Sequence, residues 1–193
     1  MVNQAPPVRP APADFHIRKA VADDAPGIVA VLEGIAAERI HSAIERAWTV
    51  EGQRRYLESL SAREAFHVAI DESGKVVGCQ SLDLYAPVLS SMAHVGQLGT
   101  FLMPEWRRRG VGHALFQETL SFARSSGYRK FVIQVRASNT SARSFYRHLG
   151  FVECGRLSRQ VVIDGLEDDE ILMEVQISDF RVQSSDWISE SEL

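Results

Sequence analysis

The chain has 193 residues, of which 45% are hydrophobic and 24% are charged, and its formal net charge is −4. These values are typical of one globular domain with a sizeable core. The acidic balance argues against a protein that coats nucleic acid but leaves room for a local basic pocket. Two cysteines, Cys79 and Cys154, stand in no metal-type spacing and indicate a reduced, cytoplasmic setting, and the scattered histidines predict no metal site.

Both ends of the chain are predicted to lie outside the folded domain. Residues 1–14 contain four prolines and no apolar run, which indicates a flexible arm and neither a signal peptide nor a spanning helix. Residues 179–193 are mainly acidic and are predicted to form a loosely attached tail, in which Phe180, Trp187 and Ile188 can dock on a neighbouring element. We therefore expect one domain over residues 15–178.

In the first half of the domain, some segments have the hydrophobic pattern of strands and others have that of helices. An apolar stripe after Asp23-Asp24 and Pro26 predicts a first helix, and Gly74 at the corner of a four-residue turn predicts a hairpin. The predicted elements are a strand over 15–19, that first helix, a second helix that begins at Ala43 or Thr49 and ends at Leu60, and strands over 64–70 and 75–84.

The second half continues with a long strand and ends with a pair of strands. The predicted elements are a strand over 92–103, a helix that begins at the glycines after Arg109 and ends near Gly127, a strand over 131–135, a helix capped by Asn139 or Ser141 and closed by Gly150, and strands over 151–163 and 169–177. The order β-α-α-β-β-β-α-β-α-β-β predicts a mixed α/β domain without an internal repeat.

The segment between the long strand and the next helix reads Arg107-Arg108-Arg109-Gly110-Val111-Gly112. A helix that begins after a glycine-rich turn presents unpaired backbone N–H groups at its positive end, and these suit a phosphate. The two glycines let the backbone approach closely, and the arginines add positive charge. The pattern predicts a diphosphate site. Taken alone, it fits equally well a surface turn with solvated arginines, whereas RNA binding is disfavoured by the acidic balance.

Four pieces of sequence, taken in chain order, resemble the GNAT superfamily of acetyl-CoA-dependent N-acyltransferases. The second piece matches the family's [QR]-x-x-G-x-[GA] acyl-CoA signature, and the third is similar in particular to the bacterial ribosomal-protein-alanine acetyltransferases. The resemblance extends over about residues 15–177. The four pieces are Leu98 to Trp106, Arg107 to Gly112, Val135 to Asn139 with Ala142 and Phe145-Tyr146, and Leu149 to Phe151.

The resemblance implies a mostly antiparallel central sheet of about seven strands with about four flanking helices. Its fourth and fifth strands would splay apart to accept acetyl-CoA as the acyl donor. The implied site has backbone groups of Thr100, Phe101 and Leu102 on the pantetheine arm, N–H groups of Arg107, Arg108, Arg109, Gly110, Val111 and Gly112 on the pyrophosphate, Asn139 near the pantetheine, and Tyr146 as general acid. Without the family pattern, a core tyrosine is the favoured interpretation of Tyr146, because its neighbours on the helix are apolar.

The sequence departs from the family's pattern at the general base. Gln134 stands where the alanine acetyltransferases have a glutamate, and Gln97 stands where many relatives have an acidic residue on the fourth strand. Glutamine does not accept a proton usefully at neutral pH. Asp83, His94, Glu153, a water chain or an amine that is already neutral could replace the missing base. An α-amine (pKa about 8) has more neutral form at pH 7 than lysine (about 10.4), which favours an amine of low pKa.

The sequence thus predicts an N-acetyltransferase that moves acetyl from acetyl-CoA to a primary amine of a small molecule or of a peptide or protein N-terminus. Two alternatives on the same fold are a non-catalytic acyl-CoA-binding module, suggested by the two glutamines, and an interaction scaffold. We expect neither nucleic acid nor a membrane as a partner, and the resemblance makes a homodimer an option.

Overall fold

The computed structural model describes residues 15–180. The predicted N-terminal arm and residues 181–193 of the predicted tail lie outside the described residues. The described chain folds in the predicted order of elements. Its strands and α-helices are β1 (Phe15–Lys19), α1 (Ala25–Ala37), α2 (Val50–Ser59), β2 (Ala65–Asp71), β3 (Val76–Leu84), β4 (Val95–Leu102), α3 (Val111–Ser125), β5 (Lys130–Arg136), α4 (Thr140–His148), β6 (Val152–Ile163) and β7 (Leu166–Gln176).

The seven strands over residues 15–180 form one sheet in the order β1-β2-β3-β4-β5-β7-β6. Every neighbouring pair is antiparallel except β4 and β5, which are parallel. The β4–β5 pairing covers only three residues of each strand, Val95–Gln97 against Lys130–Val132. The rest of the two strands diverges, which confirms the predicted mostly antiparallel sheet with a splay between its fourth and fifth strands.

The helices cover the two faces of the sheet, and the alternation of side chains along β3 shows which helix lies on which face. Leu82 packs in a core with Phe116 of α3 and Tyr146 of α4, whereas Cys79 packs in a second core with Ile28 of α1. Residues at odd and even positions of a strand point to opposite faces. Helices α1 and α2 therefore lie on one face, and α3 and α4 on the other.

The second helix begins later than one of its two expected starts. Thr49 is its N-cap, and its Oγ1 accepts a hydrogen bond from the N–H of Gly52 at 3.1 Å. A hydroxyl acceptor at this position satisfies a helix N–H that has no carbonyl partner. The start at Thr49 is thus confirmed and the start at Ala43 is wrong. Residues 38–49 form an irregular connection between α1 and α2.

The start of the long strand differs from the sequence expectation. The long strand begins at Val95 and not at Met92, because Ser90–Met92 form a 3-10 turn. At the other end of the domain, the ring of Phe180 packs on Phe116, with 5.3 Å between ring centroids. The predicted tail is therefore docked on α3 at its first residues. Within residues 15–180, no helix combines the length and apolar character needed to cross a membrane.

Candidate active site

A gap opens between β4 and β5 where their pairing stops. Gln97 is the last residue of β4 that is in register with β5, and its Nε2 donates to Oε1 of Gln134 at 3.1 Å. The two glutamines thus join the strands at the closed end of the gap. From Leu98 onward, β4 pairs only with β3, whose register continues to Leu102. One edge of β4 is therefore open to another hydrogen-bonding partner.

The alternation of the antiparallel ladder identifies the backbone groups on that open edge. Met103 donates its N–H to Val77, and Val95 accepts from the N–H of Tyr85, so odd-numbered residues of β4 face β3. Because alternate residues face alternate sides, the peptide groups of Thr100 and Leu102 face the gap. Phe101 turns its own peptide groups toward β3 and reaches the gap region with its side chain.

A cavity of about 220 Å³ lies at this gap and is lined from both faces of the sheet. Ile35 of α1 and His41 of the 38–49 connection line it on one side, and Phe145 and Tyr146 of α4 line it on the other. Because residues from both faces line one cavity, the space passes through the sheet between β4 and β5. Such a passage admits a long, thin ligand from one face and a second reactant from the other.

Tyr146 is held in this cavity by a hydrogen bond to β4. Its hydroxyl donates to Oγ1 of Thr100 at 2.8 Å, and Nε2 of Gln80 donates to the same oxygen at 2.7 Å. Tyr146 is 6% exposed, and burial raises the pKa of its hydroxyl to about 12, whereas the bond to Thr100 lowers it. Tyr146 is therefore a neutral proton donor at physiological pH.

The two glycines of the turn before α3 serve different purposes. Gly110 is the N-cap of α3 and has φ +84°, in the left-handed region that only glycine adopts without strain. A Cβ at Gly112 would lie 3.2 Å from Cζ of Phe145, so glycine also permits the close packing of α3 on α4. A cavity of about 550 Å³, lined by both glycines, Leu102 and Arg108, adjoins the first cavity through Leu102 and Arg108.

The first turn of α3 contains backbone N–H groups of the kind that the sequence predicted for a phosphate site. The N–H groups of Val111 and Gly112 have no intrahelical acceptor at a helix start. Gly110 supplies no side chain to cap them. The positive end of the α3 dipole lies at this turn, beside the cavity that Gly110 and Gly112 line, and this favours a phosphate there.

The three arginines of the turn have different surroundings. Arg107 is engaged by both carboxylate oxygens of Glu38, at 2.9 Å for the Nη1–Oε1 pair, and its Nε donates to the carbonyl of Leu102. The guanidinium of Arg109 lies 5.3 Å from the ring centroid of Trp106. Arg108 lines both cavities and has φ +59°. Of the three side chains, that of Arg108 is the one placed to contact a ligand in both cavities.

Asn139 lines the cavity but also has two structural contacts. Its Oδ1 caps α4 by accepting from the N–H of Ala142 at 3.0 Å, and its Nδ2 donates to the carbonyl of His41 at 2.8 Å. Arg136 supports the same connection through its bond to the carbonyl of Arg39 at 2.7 Å. The third piece of the family signature therefore holds the 38–49 connection over the gap.

The three side chains considered as replacement bases lie in different places. Glu153 forms ion pairs with Arg143 and Arg147 and lines neither cavity, so its carboxylate is not placed to act as a base in the gap. His94 directly precedes β4 and lines neither cavity, and its backbone carbonyl accepts a hydrogen bond from the N–H of Arg129. Asp83 lines another cavity beside Phe101, where its Oδ1 accepts a 2.5 Å hydrogen bond from Tyr56. No sequence motif pointed to Tyr56.

The comparisons with known proteins agree with this geometry. The model of the acetyltransferase (GNAT) family matches residues 33–151, which include β2 to β5, α3, α4 and the turn between 102 and 111. The chain belongs to this family, and it is an acyltransferase. No metal-binding group of three or more His, Cys, Asp or Glu side chains is found in residues 15–180.

Proteins that are similar in sequence carry different names. A Bacillus subtilis protein provisionally named phosphinothricin acetyltransferase is 25% identical over 155 residues, which cover 79% of this chain and 93% of that protein. The ribosomal protein bS18-alanine N-acetyltransferase of Escherichia coli K12 is 36% identical over 76 residues, which cover 39% of this chain and 51% of that enzyme. The chain thus aligns with about half the length of the latter.

A solved structure supports the same fold. The phosphinothricin acetyltransferase of Sinorhizobium meliloti, determined in complex with acetyl-CoA, superposes with a TM-score of 0.76 at 22% identity. The alignment covers 84% of this chain and 88% of that chain. At this identity the likeness concerns the fold alone.

Proposed function

We propose that the protein is an N-acetyltransferase that transfers acetyl from acetyl-CoA to a primary amine of a small molecule or of a peptide or protein N-terminus. The observation that carries the proposal is the gap between β4 and β5, which leads to the N-terminus of α3, where Gly110 is the N-cap. A linear thioester with a diphosphate at one end matches both parts of this space.

The donor binds along the open edge of β4 in this proposal. The peptide groups of Thr100 and Leu102 face the gap and can pair with the amides of pantetheine as a neighbouring strand would. The diphosphate then reaches the N–H groups of Val111 and Gly112, with Arg108 beside it. The thioester end points toward Gln97 and Gln134, where the gap closes.

The chemistry requires stabilisation of an oxyanion and protonation of a thiolate. A backbone N–H on the open edge of β4 supplies a fixed donor for the oxyanion, and such donors are worth about 3–4 kcal/mol in other enzymes. The Tyr146 hydroxyl lines the same cavity and remains protonated at neutral pH. It donates its proton to the departing sulfur, for which general acids contribute about 10²-fold.

Turnover of amines tests the proposal. The release of CoA thiol is measured with acetyl-CoA and a panel of amines that covers α-amino groups, lysine side chains and simple alkylamines. The proposal predicts acetylated product from at least one amine at a rate well above thioester hydrolysis. Binding of acetyl-CoA without transfer to any amine would favour the non-catalytic module instead, for which the pairing of Gln97 with Gln134 is the supporting observation.

A further inference from the structure

A second cavity borders β4 beside the one proposed for the thioester. The transfer proposed above assigns no role to this second cavity. Its volume is about 280 Å³, at the small end of ligand sites, and Phe101 lines both cavities. Its other walls come from α1, α2, β2, β3 and the 38–49 connection. A site of this size accepts a group about as large as one amino acid.

The walls of this cavity are mainly aromatic. The ring of Tyr56 makes edge-to-face contacts with Trp48 at 5.4 Å and with Phe66 at 5.9 Å, measured between ring centroids. Phe101 adds a further ring, and Trp48 remains 57% exposed at the rim. Rings arranged in this way offer faces and edges to a flat apolar group.

One polar group in the cavity has no hydrogen-bond partner among the described residues, and another is a carboxylate that accepts hydrogen bonds from hydroxyl groups. Gln53 is 2% exposed, and its Nε2 has no hydrogen-bond partner among the described residues. Burial raises the pKa of the Asp83 carboxyl, as does the nearby Glu64, whereas hydrogen bonds from Tyr56 and Ser81 lower it. A buried amide N–H without an acceptor costs free energy, and the carboxylate of Asp83 can accept a further N–H donor. A ligand with an acceptor oxygen and a neutral amine would match both groups.

The register of the sheet places Asp83 beside the closed end of the gap. Asp83 is directly opposite Gln97 in the antiparallel pairing of β3 with β4, and residues opposite each other point to the same face. Gln97 is also the residue at which β4 and β5 separate. Asp83 thus lies one strand away from the position proposed for the thioester, on the face covered by α1 and α2.

We propose that this cavity is the acceptor subsite and that Asp83 takes the proton from the attacking amine. The acceptor is an α-amine whose carbon carries a large aromatic or apolar side group and a carbonyl or carboxylate oxygen. The ring occupies the aromatic walls, the oxygen accepts from Nε2 of Gln53, and the nitrogen faces Asp83. This inference rests on the proposed acetyl transfer and assigns its acceptor and its base.

The proton transfers balance in this arrangement. The neutral amine attacks the thioester carbon and forms the C–N bond, and the surplus proton on nitrogen passes to the Asp83 carboxylate. The C–S bond then breaks, and the CoA thiolate takes a proton from the hydroxyl of Tyr146. Proton exchange with solvent restores Asp83 to the carboxylate and Tyr146 to the phenol.

Three amines probe the subsite. Phenylalaninamide has the ring, the oxygen and an α-amine, alaninamide lacks the ring, and phenethylamine lacks the oxygen. We expect kcat/KM for phenylalaninamide to exceed that for alaninamide at least about 10-fold, the scale on which apolar pockets discriminate. Gln53→Leu lowers kcat/KM for phenylalaninamide several-fold and leaves that for phenethylamine unchanged.

Variants of the carboxylate test the role of Asp83. Asp83→Asn, which keeps the shape, lowers kcat about 10²-fold while calorimetric binding of acetyl-CoA is unchanged. Glu72→Gln is the control, because Glu72 is an exposed carboxylate in the turn between β2 and β3 that lines none of these cavities, and it leaves kcat unchanged. Should Asp83→Asn fail to fold, Tyr56→Phe removes only the hydroxyl bound to Asp83 and lowers kcat several-fold.

The outcomes separate this inference from the function on which it rests. If the wild-type protein acetylates no amine, the acetyltransferase proposal fails and the inference fails with it. If amines are acetylated but Asp83→Asn retains its kcat, or alaninamide reacts as well as phenylalaninamide, only the inference is overturned.

Discussion

The hydroxyl of Tyr146 donates a 2.8 Å hydrogen bond to Oγ1 of Thr100, which lies 46 residues earlier in the chain. This bond joins α4 to the open edge of β4, beside the gap. The same oxygen accepts a hydrogen bond from Gln80, so Thr100 links the phenol of Tyr146 to both β3 and β4. The position of Tyr146 is thus set by the strand that is proposed to bind the thioester.

Replacing Tyr146 by Phe is expected to lower kcat about 10²-fold, since the thiolate then leaves without a general acid. KM for acetyl-CoA changes little, because the donor is bound mainly by backbone groups. Steady-state kinetics with the preferred amine measure both constants. Tyr128→Phe is the matched control, since Tyr128 is also a buried tyrosine and its hydroxyl donates to a backbone carbonyl, that of Arg63.

The pH dependence adds a second check on Tyr146. Because burial raises its pKa to about 12, the hydroxyl stays protonated through neutral and mildly alkaline pH. The kcat of the wild-type enzyme should therefore not fall between pH 7 and about 10. A fall with an apparent pKa near 8 or 9 that disappears in Tyr146→Phe would contradict this role.

Replacing Gly110 by Ala is expected to weaken acetyl-CoA binding at least several-fold. The residue has φ +84° at the N-cap of α3, and a Cβ there meets no atom within 4 Å, so the cost comes from the backbone conformation and not from a clash. Strain of this kind is worth about 1 kcal/mol and shifts the N–H groups of the turn. Calorimetry with acetyl-CoA and urea unfolding measure the two effects.

The hairpin between β2 and β3 provides the control for Gly110. Gly74 has the same φ of +84° and equally open surroundings. Gly74→Ala should therefore lower the free energy of unfolding by a similar amount and leave acetyl-CoA affinity unchanged. Equal loss of affinity in both variants would show that Gly110 acts only through stability.

Replacing Glu38 by Gln is expected to lower the free energy of unfolding by about 1 kcal/mol at pH 7. Arg107 holds the pKa of the Glu38 carboxyl below its usual value through their hydrogen bonds. A lowered carboxyl pKa stabilises the folded state above the unfolded pKa, and this contribution is lost as pH falls through the folded value. The difference between the variant and the wild type should thus shrink below about pH 4.

Urea unfolding over a range of pH measures this contribution. The control is Glu51→Gln, because the Glu51–Arg55 pair is well exposed and should contribute nothing measurable. A Glu38→Gln protein as stable as the wild type at pH 7 would show that Arg107 does not depend on this partner.

Acidification is expected to destabilise the protein through His67. This histidine is 6% exposed, its Nδ1 lies 2.9 Å from Oγ1 of Thr119, and burial lowers its pKa to about 4. The unfolded state binds a proton near pH 6.5 whereas the folded state does not, so stability is lost as pH falls. We expect a loss of about 2–3 kcal/mol between pH 6.5 and 4.5. His67→Gln should flatten that part of the curve, and a flat wild-type curve would refute the assignment.

The order of elements could be predicted from the sequence because local patterns determine it, whereas the splay of the sheet was implied by the family resemblance. Thr49 and Asn139 are ordinary N-caps, and Gly110 stands where a helix begins after a strand and a turn. The open edge of β4 also follows from the backbone. A site built from backbone groups depends on the order of strand, turn and helix, which the residue types reveal.

The side-chain partners could not be predicted, because they come from distant parts of the chain. Arg107 binds Glu38 from 69 residues away, and Asn139 binds the carbonyl of His41 from 98 residues away. Both contacts depend on the path of the 38–49 connection, which has no repeating pattern. The expected helix start at Ala43 failed for the same reason.

A crystal structure of the protein with acetyl-CoA is the most direct test of the central claim. The account predicts that the thioester arm lies between β4 and β5 against the peptide groups of Thr100 and Leu102, with the diphosphate at the N-terminus of α3. A ligand bound elsewhere, or strands that stay closed and empty at millimolar acetyl-CoA, would contradict it.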